Sequence, residues 1–268
     1  MYKLIAIDVD DTLITDEKLV TEGTKRALEQ AVAQGVHVTL ATGRMYASAR
    51  KIAMQTGLNV PLITYQGSLI KNIMDGEVLY ERAVPNTAAQ KLLQYCTEHH
   101  LHLQLYVNDL LYAREENDKL IGYSQLNNIP YVIEPDFDKL LASPSTKMLM
   151  IDEPARLDEV APELRELLGS EVHITKSKPH FLEVTHHEGT KGNALRFLAD
   201  HFGCAIEETI GIGDSWNDHD LIEVAGLGVA MENAVDSLKR VANYVTLSNN
   251  DEGVRHVIEK FVLQTSTV

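Results

Sequence analysis

The sequence predicts an α/β fold: a doubly wound, Rossmann-like parallel sheet with a second α/β unit inserted into it. Three observations carry that prediction. Short apolar runs alternate with amphipathic helical segments over the first third of the chain and again from about residue 188, the rhythm of parallel strands joined by crossover helices. The stretch between is also mixed, but its strands are joined by short turns such as Asn108-Asp109, which mark hairpins. With 268 residues and 44% hydrophobic content, the chain is long enough to bury two cores. The doubly wound part is expected at 1–85 and 188–268, and the inserted part at 86–187.

The elements follow in order. "KLIAID" reads as a buried strand, and "EGTKRALEQAVAQG" as a helix with Ala27, Leu28, Ala31 and Val32 on one face, stopped at Gly35. "VHVTLATG" is a second strand, "MYASARKIAMQTG" a second helix and "VPLITYQG" a third strand. A hairpin turning at Asp75-Gly76 closes the first part. The inserted part opens with the helix "NTAAQKLLQYCTEHH". A hairpin, a helix near 116–127 and a strand near 130–134 come next, then "KMLMID", the helix "PARLDEVAPELRELLG", "VHITKS" and "HFLEVTH". The first rhythm then returns: "TKGNALRFLADHFG" (helix), "ETIGIGD" (strand), "HDLIEVAG" (helix), "LGVAM" (strand), "AVDSLKRVA" (helix), "YVTLS" (strand) and "EGVRHVIEKFV" (helix).

Composition excludes several functions. A formal net charge of −15 argues against nucleic acid, whose phosphates need a basic surface, and against an anionic membrane. Cys96 and Cys204 are too few and too far apart for a disulfide framework, so a reducing compartment is expected. The N-terminus lacks the apolar core and cleavage site of a signal peptide. No apolar run approaches the roughly 20 residues that span a bilayer. A cytoplasmic protein is expected, monomeric or weakly dimeric.

Ligands of open parallel sheets bind beyond the carboxyl ends of the strands. There the first strand carries Asp8 and Asp10, the second Thr42-Gly43-Arg44, and "GIGDSWNDHD" carries Asp214, Asn217 and Asp218. Lys191 opens the returning helix. Each is ordinary alone: Asp caps helices and turns, acids favour helix N-termini, and Lys is commonly solvated. Together, on one alternating framework, they describe a site. Asp8 and Asp10 lie two apart and share a side of an extended chain. If Asp214 and Asp218 join them, only a cation makes the cluster tolerable. Carboxylates without His or Cys at ligand spacing suit a hard ion, magnesium above all. A lysine, a threonine hydroxyl and backbone amides beside that ion are suited to phosphate.

These residues resemble the haloacid dehalogenase superfamily of phosphohydrolases. "DVDDTL" is similar to its first motif, "ATGR" to the second, "TKG" to the third and "GDSWND" to the fourth. The insertion after the third core strand resembles the type IIB cap of the Cof-like sugar-phosphate phosphatases. "GVAMENA" and "ANYVTLSNNDEGV" fit as well, so the likeness spans nearly the whole chain. It implies Asp8 as the nucleophile that forms an aspartyl-phosphate, and Asp10 as the acid and then the base, tuned upward from its usual value. It implies magnesium on Asp8, the Asp10 carbonyl and Asp214, with Asp218 helping directly or through water. Thr42 and the Gly43 amide are implied to bind phosphoryl oxygens, Lys191 to neutralise charge, Asn217 to orient the site, and Arg44 to contact substrate or cap. The substrate is implied to be a small phosphorylated metabolite.

The sequence leaves the family pattern twice: Asp11 stands where glycine is usual, and Gln66-Gly67 where Asn-Gly is usual. Other readings fit less well. A phosphate-receiver domain has its acids in another order, an EF-hand needs a Gly and a distal Glu, and "HHLH" and "HHEGTKG" lack zinc-hydrolase spacing. A phosphomutase or phosphotransferase on the same scaffold, and a non-catalytic phosphometabolite sensor, are the alternatives. For substrate choice the residues named are Tyr106, Asn108, Lys176, Lys178 and His180.

Overall fold

The computed structural model describes residues 1–58 and 60–263. The chain opens with β1 (Leu4–Ile7), a helical turn (Val9–Leu13), α1 (Glu22–Ala33), β2 (His37–Leu40), α2 (Tyr46–Gln55) and β3 (Leu62–Thr64). A tight turn at Tyr65–Gly67 leads to β4 (Leu69–Lys71) and β5 (Val78–Glu81). The insertion runs α3 (Asn86–Glu98), β6 (His102–Val107), β7 (Leu110–Ala113), α4 (Asp118–Asn127), β8 (Tyr131–Ile133), α5 (Phe137–Leu140), β9 (Lys147–Ile151), α6 (Pro154–Leu168), β10 (Val172–Lys178) and β11 (Phe181–His186). The chain then returns with α7 (Lys191–His201), β12 (Thr209–Gly213), α8 (His219–Val224), β13 (Leu227–Ala230), α9 (Asp236–Val241), β14 (Tyr244–Val245) and α10 (Gly253–Phe261).

The first sheet is parallel throughout, in the order β14-β13-β12-β1-β2. β1 lies inside it, and all four of its residues are buried, as expected of a strand covered on both faces. Its side chains alternate between two cores. Ile5 and Ile7 pack with Leu28 and Ala31 of α1 and Val257 and Ile258 of α10. Leu4 and Ala6 pack with Leu195 and Leu198 of α7 and Leu221 of α8. A parallel bridge from Ala41 to Ile63 extends this sheet toward β3, which pairs antiparallel with β4, as β4 does with β5. Val32 is not on the inner face of α1: it is exposed, and Thr24 joins Ala27, Leu28 and Ala31 instead. At 100° per residue, Val32 falls past the edge of the buried stripe.

The insertion builds a six-stranded sheet, β10-β11-β9-β6-β7-β8. It is antiparallel except where β7 and β8 run together. The β6–β7 turn holds Asn108 and Asp109 at φ 52° and 59°, the left-handed pair of a type I′ hairpin. One sheet face packs on α3 and α6 through Leu103, Leu105, Met148, Met150, Leu182 and Val184. Strand alternation turns Tyr106, Lys147 and Glu183 to the other face, which meets the first sheet's strand ends. Asp109 ties the two parts together, accepting from the Tyr65 hydroxyl at 2.6 Å and the Ala47 amide at 3.1 Å. Among the described residues, no helix is long and apolar enough to cross a membrane.

Candidate active site

β1 leads directly into Asp8, which is 5% exposed. The chain then turns sharply: the Leu13 amide donates to the Asp8 carbonyl at 3.2 Å and the Ile14 amide to the Val9 carbonyl at 3.1 Å. That turn separates the first two acids. Asp8 Oδ1 accepts from Lys191 Nζ at 2.5 Å. Asp10 is held by Arg44 in a bidentate pair, Nε to Oδ2 and Nη2 to Oδ1, both 2.7 Å. A planar guanidinium matches a carboxylate in this way and a lysine does not.

Lys191 is the first residue of α7 and is 1% exposed. A cation at a helix N-terminus opposes the macrodipole, so its position depends on its partners. These are Asp8 and Asp218, whose Oδ1 lies 2.6 Å away. Asp218 also fixes its own loop, accepting from the Asp214 and Ser215 amides at 3.0 Å each. Gly213 leaves room for this, because a Cβ there would lie 2.4 Å from the Asp218 carboxyl carbon. Asp214 accepts from the Thr12 hydroxyl at 2.9 Å. Among the described residues, no salt bridge reaches it.

Carboxylate oxygens of Asp8, Asp214 and Asp218 lie within 4.8 Å of one another. Their oxygen-only chemistry fits a hard divalent cation. Burial pushes Asp214 up to about 9, with the charges of Asp8 and Asp218 adding to it. Burial also pushes Asp8 up, against the pull of Lys191. Both shifts express the cost of unneutralised charge. Burial pushes Lys191 down, but the two aspartates outweigh it and hold the ammonium firmly protonated.

Asp10 departs from expectation. Burial would raise it, but the Arg44 hydrogen bonds and charge outweigh burial and hold it below the ordinary carboxylate range. With Arg44 in place it is a carboxylate, not the upward-tuned acid anticipated above.

Thr42 is 1% exposed. Its Oγ1 accepts from the Arg44 amide at 3.1 Å, and its carbonyl accepts from the Gln66 amide at 3.0 Å. The Gln66 side chain lies against Gly43, where a Cβ would come within 2.3 Å of its Nε2. Asn217 donates through Nδ2 to Gln66 Oε1 at 2.9 Å, while its Oδ1 is buried with no partner. Asp8, Asp10, Thr42, Gly43, Arg44, Asp214 and Asn217 line one cavity of about 60 Å³, and Lys191 and Asp218 stand behind it, joined to it through Asp8 and the Asp214 amide.

Both departures from the family pattern are in the left-handed region, Asp11 at φ 61° and Gln66 at φ 63°. Glycine and asparagine tolerate that region best, which accounts for what is usual at those places. Asp11 has a tertiary partner, Lys178 of β10, at 2.9 Å. Gly67, at φ +105°, lies so close to α7 that a Cβ would come within 2.1 Å of the Thr190 carbonyl oxygen.

Over the cavity, the insertion presents Tyr123, Leu126, Asn127, Lys178 and Phe181. Of the residues named for substrate choice, only Lys178 lines it. Tyr106 sits one step behind, donating to the Tyr123 hydroxyl at 2.7 Å. Lys176 pairs with Asp158 of α6, Asn108 lies in the hairpin turn, and His180 faces the Asp152 carbonyl. Sequence reasoning missed Lys147 and Glu183. Both are charges at inward positions of otherwise apolar strands, which is the pattern that singles them out.

The haloacid dehalogenase-like hydrolase family profile matches residues 5–258. The 5-amino-6-(5-phospho-D-ribitylamino)uracil phosphatase YcsE of Bacillus subtilis is 32% identical, over 97% of this chain and 96% of its own. A haloacid dehalogenase-like hydrolase from Bacteroides thetaiotaomicron superposes with a TM-score of 0.86 at 30% identity, over 97% of this chain and 99% of that one. The subclass IIB sugar phosphatase BT4131 shares the fold, with a TM-score of 0.88 at 24% identity, over 97% and 98% of the two chains. With a matching fold, profile and acidic site, the chain belongs to the haloacid dehalogenase-like hydrolases and is one of their phosphoric monoester hydrolases.

Proposed function

We propose that the protein is a magnesium-dependent phosphatase of a small phosphorylated metabolite, a sugar phosphate or similar, acting through an aspartyl-phosphate at Asp8. One observation carries the reading. Asp8 lies at a strand end beside Lys191 and within 4.8 Å of the carboxylates of Asp214 and Asp218. A buried carboxylate of this kind is well placed as a nucleophile once its charge is matched.

Asp8 and Asp214, with the Asp10 carbonyl, would hold magnesium, which supplies charge neutralisation for the phosphoryl oxygens. Asp218, whose oxygens already accept from Lys191 and two amides, acts through water. The Thr42 hydroxyl and Gly43 amide bind phosphoryl oxygens, and Asn217 orients the loop. Asp8 attacks phosphorus, the bond to the ester oxygen breaks, and Asp10 protonates the leaving alkoxide. Asp10 then takes a proton from water, which attacks phosphorus and releases Asp8. The first of these proton transfers requires Arg44 to leave Asp10, for which the arriving phosphate offers another anion, and requires Asp10 first to take up a proton from solvent or from a phosphate monoanion.

We place the catalytic core at 1–85 and 188–268, the substrate-selecting cap at 86–187, and the protein in the cytoplasm as a monomer or weak homodimer. Phosphate release from a panel of phosphorylated metabolites with magnesium tests the reading. Release that is abolished in Asp8→Asn is expected, and full activity in that variant overturns the covalent route.

A further inference from the structure

Lys147 belongs to the cap, yet its ammonium ends on the core. Nζ donates to the Gly43 carbonyl at 2.7 Å, pairs with Glu183 Oε2 at 3.0 Å, and lies 4.8 Å from the centre of the Tyr106 ring. Lys147 is 1% exposed. Burial pushes its pKa down, and the Glu183 charge more than restores it. Glu183 is itself fully engaged, accepting also from Gln66 Nε2 at 3.0 Å and from Ser177. Gln66 passes the network on to Asn217.

The Gly43 carbonyl shares a peptide plane with the Arg44 amide. Lys147 binds one end of that plane, and at the other the Arg44 N–H donates to Thr42 Oγ1 at 3.1 Å. With one lone pair of Oγ1 taken, the Thr42 hydroxyl is left to donate into the cavity. Two hydrogen bonds and one peptide plane thus connect a cap ammonium to the Thr42 hydroxyl at the cavity.

We infer that Lys147 is a positioning residue through which the seated cap completes the core's phosphate-binding loop. This rests on the phosphatase reading. Two of the ammonium's three N–H groups go to the loop carbonyl and Glu183, so its role is to order the loop for any phosphate ester and not to read the leaving group. Without that anchor the Gly43–Arg44 peptide is free to turn, and phosphate binding weakens.

The test is the double variant Lys147→Met/Glu183→Gln, which removes the anchor without leaving a buried charge unpaired. Inorganic phosphate binding is measured by calorimetry with magnesium, and kcat/KM across a panel of phosphomonoesters. Phosphate affinity and every kcat/KM are expected to fall by at least about tenfold. The order of the substrates, the magnesium affinity and the cooperative unfolding transition stay as in the wild type. Unchanged phosphate affinity overturns the inference, and so does a reordered panel, which makes Lys147 a leaving-group reader. A wild type that neither hydrolyses an ester nor binds phosphate overturns the phosphatase reading itself, and the inference with it.

Discussion

Asp11 of the first strand's turn and Lys178 of β10 form an ion pair of 2.9 Å that joins core to cap at the rim of the cavity. The pair is partly exposed, at 36% and 33% for the two side chains, and such pairs contribute roughly 0–1 kcal/mol. Asp11 also has a left-handed backbone, which costs a non-glycine residue roughly 1–2 kcal/mol. Asp11→Gly therefore loses the pair and relieves the backbone. Its unfolding free energy in urea is expected within about 1 kcal/mol of wild type. A loss well beyond that gives Asp11 a structural role the ion pair does not explain.

Lys191→Met is expected to be costly. It leaves Asp8 and Asp218 facing each other in a buried site without their shared cation. Breaking a buried pair by removing one partner costs about 3–5 kcal/mol. Denaturant unfolding without metal measures this, and activity is expected to vanish. Unchanged stability would show that the two ion pairs to Lys191 contribute nothing net to the fold.

Metal and pH act together. Asp8 and Asp214 have folded values raised above the ordinary carboxylate value, Asp214 to about 9. The metal-free folded protein thus keeps protons that the unfolded chain has released. Their contribution to stability is complete below about pH 4, the ordinary carboxylate value. It is lost as pH rises through the folded values. In the proposed reading magnesium would substitute for those protons, so any Tm increase it produces is expected to be larger at pH 8 than at pH 5.5. Scanning calorimetry with magnesium and with chelator checks this. A magnesium effect independent of pH argues against binding at these carboxylates.

Gly67→Ala is expected to harm catalysis from outside the acidic cluster. The added Cβ would meet the Thr190 carbonyl at 2.1 Å and the Lys191 amide at 2.9 Å. Either the turn or the start of α7 must shift, and Lys191 moves with α7. Overpacking of this kind costs about 1–3 kcal/mol, and a misplacement of about 1 Å near the reacting atoms can cost a hundredfold in rate. Wild-type kcat in a folded Gly67→Ala variant would contradict the tight contact.

Much of this protein was legible from its sequence. The alternation of apolar runs and helices specified the parallel sheet, because buried strands and amphipathic helices have different periods. Asp8, Asp10, Thr42, Lys191, Asp214 and Asp218 stood at strand ends or a helix start, so the topology of a doubly wound sheet was enough to converge them. Pairing was not legible, since a carboxylate's partner is set by direction and distance after folding. Asp8 and Asp10, alike in "DVDD", are separated by the turn that follows β1, one going to Lys191 and the other to Arg44. Asp11, without a role in the sequence, gained Lys178 from more than 160 residues away. The tertiary structure alone brought Lys147 onto Gly43, because only the seating of one sheet's face on another's strand ends decides which buried charge meets which backbone carbonyl.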